Sequence, residues 1–123
     1  MRQVLLIVDD EIDVLGIVTE YLQALGYDVI GAMSGREALA RIDETEGPIA
    51  AAVVDWSLPD VSGREVIRRL RHRQPACPVV VTTGHAADVV GGELAGEPAT
   101  TVLRKPFTMR SLAVRVEALV AEG

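Results

Sequence analysis

The sequence predicts an α/β fold: a five-stranded parallel sheet covered by helices on both faces. Five short β-branched-rich runs stand out, the longer ones apolar almost throughout, the pattern of strands buried on both sides. Stretches with helical spacing separate them. Strand and helix alternate five times with no linker, repeat or low-complexity segment, which demands parallel strands and right-handed crossovers.

The first strand is Val4–Val8, and Val14, Leu15, Val18, Tyr21, Leu22 and Leu25 mark one face of the helix after it. Gly26 stands where that helix should stop. The second strand is Asp28–Ala32, and the capping box Ser34-Gly-Arg-Glu37 opens the second helix. The third strand, Ala50–Val54, leads to a second capping box, Ser62-Gly-Arg-Glu65. Pro75 and Pro78 then separate the third helix from the fourth strand, Val79–Thr83. The fourth helix, Ala86–Leu94, carries Gly91 and Gly92, each costing up to about 1 kcal/mol relative to Ala, so it should be short or mobile. The fifth strand is Thr101–Arg104. Met109, Leu112, Ala113, Val116, Leu119 and Val120 mark the last helix.

A chain of 123 residues fits one domain, residues 1–123, and can bury a core without staples. Apolar residues make up 49 % and charged residues 24 %, which excludes a disordered chain. A formal charge of −6 argues against direct nucleic-acid binding. The single cysteine, Cys77, excludes a disulfide framework and fits a reducing compartment. No apolar run is long enough for a membrane span, and Met1-Arg2-Gln3 leads into a strand rather than a signal-peptide core. A cytoplasmic protein is the expectation.

Ligands of open parallel sheets bind beyond the carboxyl ends of the strands. Asp9, Asp10 and Glu11 follow the first strand, Asp55 the third, Thr82-Thr83-Gly84 end the fourth, and Lys105-Pro106 follow the fifth. Taken singly, such residues also serve as helix-dipole partners or turn formers. Lys105 is the only lysine among twelve Lys and Arg residues. If the first, third and fourth strands are neighbours, these groups meet on one rim. Asp9, Asp10 and Asp55 would repel one another unless a hard cation lay between them, and Mg²⁺ suits few carboxylates plus water and phosphate oxygens. Lys105 and the Thr83 hydroxyl can bond a phosphoryl group. A carboxylate beside the metal can then act as nucleophile and form an acyl phosphate.

This arrangement resembles the receiver domains of two-component response regulators, over the whole chain. Four motifs carry the resemblance: Val8-Asp9-Asp10-Glu11, Val54-Asp55-Trp56-Ser57-Leu58-Pro59-Asp60-Val61-Ser62-Gly63, Val81-Thr82-Thr83-Gly84-His85 and Arg104-Lys105-Pro106-Phe107. The resemblance implies a doubly wound, flavodoxin-like (βα)5 fold with strand order 2-1-3-4-5. It implies Asp55 as phosphoacceptor, Asp10 as direct Mg²⁺ ligand, Asp9 as the acid reaching the metal through water, and the Ser57 backbone carbonyl as the third protein ligand. Lys105 matches the phosphate-binding lysine and Pro106 the proline whose peptide bond is often cis. Thr83, directly before Gly84, matches the switch hydroxyl, and Gly63 the glycine of the turn after the third strand, where a left-handed backbone would suit it.

The function implied is Mg²⁺-dependent acceptance of a phosphoryl group from a phosphohistidine on a sensor histidine kinase or phosphotransfer protein. A conformational switch would then control an output protein. On this reading the protein is no enzyme beyond its own phosphorylation and dephosphorylation, and 123 residues leave no room for an output domain. It acts alone by binding, or as the phosphorelay piece of a hybrid kinase or larger regulator. The rival of another class is a small aspartyl-phosphate phosphohydrolase of the dehalogenase type, but that chemistry wants an acid where Ser57 stands. A receiver that is never phosphorylated is disfavoured by the complete residue set.

One position departs from the family pattern: Val102 stands where an aromatic residue usually precedes the lysine by three. With Gly91-Gly92, this suggests an output that orders backbone in residues 84–98 rather than flipping a ring. Arg64, Arg68, Arg69, Arg71 and Arg73 read as a solvated face of the third helix. His72 and His85 lack metal-ligand spacing and read as surface residues, although Ser57 and His85 flank the phosphoryl position and could tune its lifetime. Cys77 reads as a small packed residue, and Trp56, the only tryptophan, as a reporter beside Asp55.

Overall fold

The computed structural model describes residues 2–84 and 87–122; His85, with its reading as a lifetime-tuning residue, and Ala86 lie outside them. Ten elements alternate as β1 (Val4–Val8), α1 (Ile12–Ala24), β2 (Asp28–Ala32), α2 (Gly35–Glu44), β3 (Ala51–Asp55), α3 (Gly63–Arg73), β4 (Val79–Thr83), α4 (Ala87–Glu93), β5 (Thr100–Arg104) and α5 (Met109–Glu122). The strands are all parallel, in the order β2-β1-β3-β4-β5.

Alternation along each strand divides the core in two. Leu6, Val8, Ala52, Val54, Val79 and Val81 pack against α2, α3 and α4. Leu5, Ile7, Ala51, Val53, Val80 and Leu103 pack against α1 and α5. Both faces of β3 and β4 are therefore closed to water, which is why those runs are apolar without interruption.

Three strands coincide with their sequence-derived bounds. The third runs one residue later than expected: Ala50 still donates to the Val4 carbonyl at 2.7 Å, but Asp55 itself joins the ladder opposite Thr82. The fifth starts one residue early, because Thr100 pairs with Val79. The fourth helix is short, as its glycines demand. Leu25 does not face the core as expected; it caps α1 and is 47 % exposed.

Gly26 ends α1 at φ +102°, with its N–H on the Gln23 carbonyl and the Tyr27 N–H on that of Leu22. This is a Schellman closure. Ser34 accepts from Glu37 N–H while Glu37 returns a bond to Met33 N–H, so the box at α2 closes one residue upstream of the usual donor. At α3 only half of the box forms, since Glu65 turns to Arg68 at 2.8 Å instead.

Gly26→Ala would force a Cβ into the left-handed region, and it should lower stability by about 1–2 kcal/mol in urea unfolding. Ala at the exposed, helical Gly16 should raise stability by a fraction of that.

Candidate functional site

The carboxyl edge of the sheet gathers the charged residues. Asp9 extends the β1 ladder, donating to the Ala32 carbonyl at 3.1 Å, so its side chain continues the Leu5–Ile7 face toward α1 and α5. It is 4 % exposed, and its Oδ1 accepts from Glu11 N–H at 2.9 Å, which turns the chain into α1. Asp55, the last residue of β3, lies on the same face and is equally buried. Its Oδ1 accepts from Ser57 N–H at 3.1 Å. Carboxylate oxygens of Asp9, Asp10 and Asp55 all lie within 4.8 Å of one another. Three hard oxygen donors at that spacing could hold a hard divalent cation.

Lys105 closes the cluster from β5. Its Nζ lies 2.8 Å from Glu11 Oε2, 3.1 Å from Asp9 Oδ2 and 3.3 Å from Asp55 Oδ2. Burial alone would lower the ammonium's pKa, but these three carboxylates reverse that and raise it above the ordinary lysine value. The Lys105–Pro106 peptide bond is cis.

Asp10 carries the unrelieved charge. Desolvation on its inward side, then a hydrogen bond to the Asp55 carboxyl and that carboxylate's charge, raise its pKa above the usual Asp value. Lys105 bonds Asp9, Glu11 and Asp55, and no bond from it to Asp10 is found among the described residues.

Thr83 ends β4 fully buried, and its carbonyl accepts from Lys105 N–H at 2.7 Å. Ser57 is held beside Asp55 by its amide. The sequence thus placed Asp9, Asp10, Asp55, Thr83 and Lys105 at one edge: the side chains of Asp9, Asp10, Asp55 and Lys105 meet there, and Thr83 joins Lys105 through its backbone carbonyl. Gly63 needs a different explanation from the one expected. It is not left-handed; it starts α3, where an added Cβ would lie 3.1 Å from the Asp55 carbonyl and from Trp56 Cα. Close approach of α3 to the backbone of Asp55 requires the glycine.

Sequence reasoning missed several supports. Glu11 stood among the rim acids without a role, yet it makes the shortest bond to Lys105. Asp60 accepts from Gly35 and Arg36 N–H at 2.8 and 3.0 Å, capping α2 from the loop after β3. Bonds from the Arg36, Gly35 and Val61 amides hold its carboxyl below the usual Asp range. No local signal marks that cap, because it spans 25 residues. The arginines of α3 are not simply a solvated face. Arg71 is inserted beneath the surface, bonding the Cys77 and Ala99 carbonyls and Glu97. Arg64 stacks 5.7 Å over the Trp56 ring and reaches Glu93 of α4 at 3.6 Å. Cys77 is a packed core residue, its thiol pushed up to about 11 by burial.

Comparison with known proteins returns one family. Residues 5–117 match the response regulator receiver domain model. The chain is 36 % identical to the alkaline phosphatase synthesis transcriptional regulatory protein PhoP of Bacillus subtilis, covering 98 % of this chain and 49 % of that protein. It is 32 % identical to the sensor kinase CckA of Brucella abortus, covering 95 % of this chain and 12 % of that protein. The chain thus spans half or less of the curated relatives it matches. Among solved structures, a response regulator receiver protein from Sinorhizobium medicae superposes with a TM-score of 0.88 at 29 % identity, covering 98 % of this chain and 95 % of that one. No helix among the described residues is long and apolar enough to cross a membrane.

For an acid with a raised folded pKa, deprotonation destabilises the fold, from the unfolded value upward and in full above the folded one. Asp10→Asn should therefore raise the urea midpoint of the metal-free protein at pH 7, with the gain shrinking as pH falls through the carboxylate range. Gly63→Ala should cost about 1–3 kcal/mol and shift Trp56 emission, because the Asp55–Trp56 backbone has to give way.

Proposed function

The chain belongs to the response regulator receiver domain family, and on that premise we propose that Asp55 is its phosphoacceptor, working with Mg²⁺. The observation that carries the reading is the half-buried ammonium of the only lysine, Lys105, held on Asp55 and Asp9 where three carboxylates converge. The metal, when bound, would shield these negative charges from an incoming phosphoryl group. Asp10 and Asp55 would hold it directly with the Ser57 backbone carbonyl, and Asp9 through water.

The donor is a phosphohistidine on a sensor histidine kinase or phosphotransfer protein. One Asp55 carboxylate oxygen bonds to phosphorus as the P–N bond to the donor imidazole breaks, and the electron pair leaves on that imidazole. Lys105 follows the charge onto the phosphoryl oxygens, and the Thr83 hydroxyl bonds another of them. The phosphorylated chain acts on an output protein rather than on nucleic acid directly, and it catalyses nothing beyond its own phosphorylation and dephosphorylation. A phosphohydrolase of the dehalogenase type would need an acid at Ser57, whose amide instead serves Asp55.

Output runs through α4. Val102 is half-buried and packs against the same core cluster as Val90 and Leu94, so its position offers no ring to reorient. Ordering of α4 and the segment after it would carry the signal.

Mg²⁺ should change Trp56 fluorescence saturably, and beryllofluoride should then add a second change that Asp55→Asn abolishes. Absence of both changes in a folded wild-type protein would overturn the phosphoacceptor reading. Hydrogen exchange over residues 87–98 should slow in the beryllofluoride state; unchanged exchange there would refute the α4 route.

A further inference from the structure

Alternation and register place one more polar residue in the site. Asp55 pairs with Thr82 on β4, and Thr82 pairs with Leu103 on β5. Val80 and Leu103 belong to the α1–α5 face, so Thr82 shares that face with Asp55 and Asp9. Lys105, two residues beyond Leu103, continues the same face from β5. To reach Asp55 on β3 and Asp9 on β1, its side chain has to cross β4, because adjacent strands lie about 4.8 Å apart. Lys105 stands level with Gly84, which has no side chain, so the β4 side chain on that face nearest the crossing is Thr82.

Thr82 is 1 % exposed, and its Oγ1 has no hydrogen-bond partner among the described residues. A buried hydroxyl without a partner is costly, and a valine of the same shape would avoid the cost. The resting fold therefore makes no use of the hydroxyl. Lys105 explains why no bond forms at rest: its three N–H donors face three carboxylates. Phosphorylation changes that count, since one Asp55 oxygen becomes the bridging oxygen of an acyl phosphate and a metal competes for the acids.

We infer that Thr82 is a positioning residue for phosphoryl acceptance, its hydroxyl taking a Lys105 N–H and keeping the ammonium over Asp55 when the carboxylates release it. This inference rests on Asp55 being the phosphoacceptor. The hydroxyl is a neutral acceptor, so it holds the lysine without competing for its charge against the phosphoryl oxygens.

The test compares Thr82→Val, which keeps the shape, with Thr82→Ser, which keeps the hydroxyl, using acetyl phosphate and Mg²⁺ and reading Trp56 fluorescence. Thr82→Val should keep or raise the urea midpoint yet slow phosphoryl acceptance about three- to tenfold, the worth of one net hydrogen bond. Thr82→Ser should stay within about twofold of wild type. The Lys105 Nζ resonance of the beryllofluoride complex should move in the valine variant and hold in the serine variant. Unchanged rate and resonance in Thr82→Val, with a phosphorylated wild type, would overturn this inference alone. A wild type that Asp55→Asn shows to be unmodified would overturn the phosphoacceptor reading and this one together.

Discussion

A single ammonium holds together an edge that would otherwise push itself apart. Asp9 and Asp55 are both buried, and their oxygens lie within 4.8 Å of each other. At an effective dielectric near 20, such a pair repels by roughly 3 kcal/mol. Lys105 sits on both carboxylates and on Glu11, offsetting that repulsion and tying β1, β3 and β5 across the sheet. The cluster still carries excess formal negative charge: four carboxylates face one ammonium, and the Asp55 carboxylate adds to the desolvation that raises the Asp10 pKa. Such a shortage of positive charge is what a hard cation would fill, and on the proposed phosphoacceptor reading a phosphoryl group would meet the site productively only once it was filled. The rigid sheet supplies the rest, since every strand that contributes is packed on both faces.

The loop after β3 links this edge to the opposite side of the molecule. Gly63 lets α3 start against the Asp55 carbonyl. Asp60 caps α2. Trp56 lies under Arg64, which also reaches Glu93 at the end of α4. Three helices on the far face are thus registered to the loop that begins beside Asp55. Each contact is modest, and the Arg64–Glu93 pair is half exposed and worth little by itself. Their effect is geometric: a change in the position of the Asp55–Trp56 backbone meets α3 directly and α4 through one side chain.

The sequence was most legible where one physical rule decides the outcome. Apolar runs between turn and cap signals mark strands, so β1, β2 and β4 were read to the residue, and Gly26 was read because a φ of +102° excludes most side chains. The charged edge was legible because ligands of parallel sheets gather at strand ends. What escaped depends on register and on distance in space. Alternation alone does not say that Thr82 lies opposite Asp55, and nothing near Asp60 says that it caps a helix 25 residues earlier. Gly63 was assigned a backbone reason when its neighbours supply a steric one, because crowding by the Asp55 carbonyl is a property of packing. Arg71 looked like surface, since sequence pattern counts charges and does not see the Cys77 and Ala99 carbonyls it satisfies.

The distribution of strength over the fold also indicates where a switch can reside. Helices α1, α3 and α5 are long and send several apolar residues each into the core, so a signal of one charged group will not reorganise them. By contrast α4 has seven residues, two adjacent glycines, and Val90 as its one buried side chain. A helix so short is marginal without tertiary support, and each glycine removes up to about 1 kcal/mol more. Its folded and loosened forms therefore differ by little free energy, and a coupling of about 1–3 kcal/mol is enough to shift their populations. Valine at position 102 fits the same economy. With no ring to store a signal on β5, the proposed switch would fall to the element that is closest to balance.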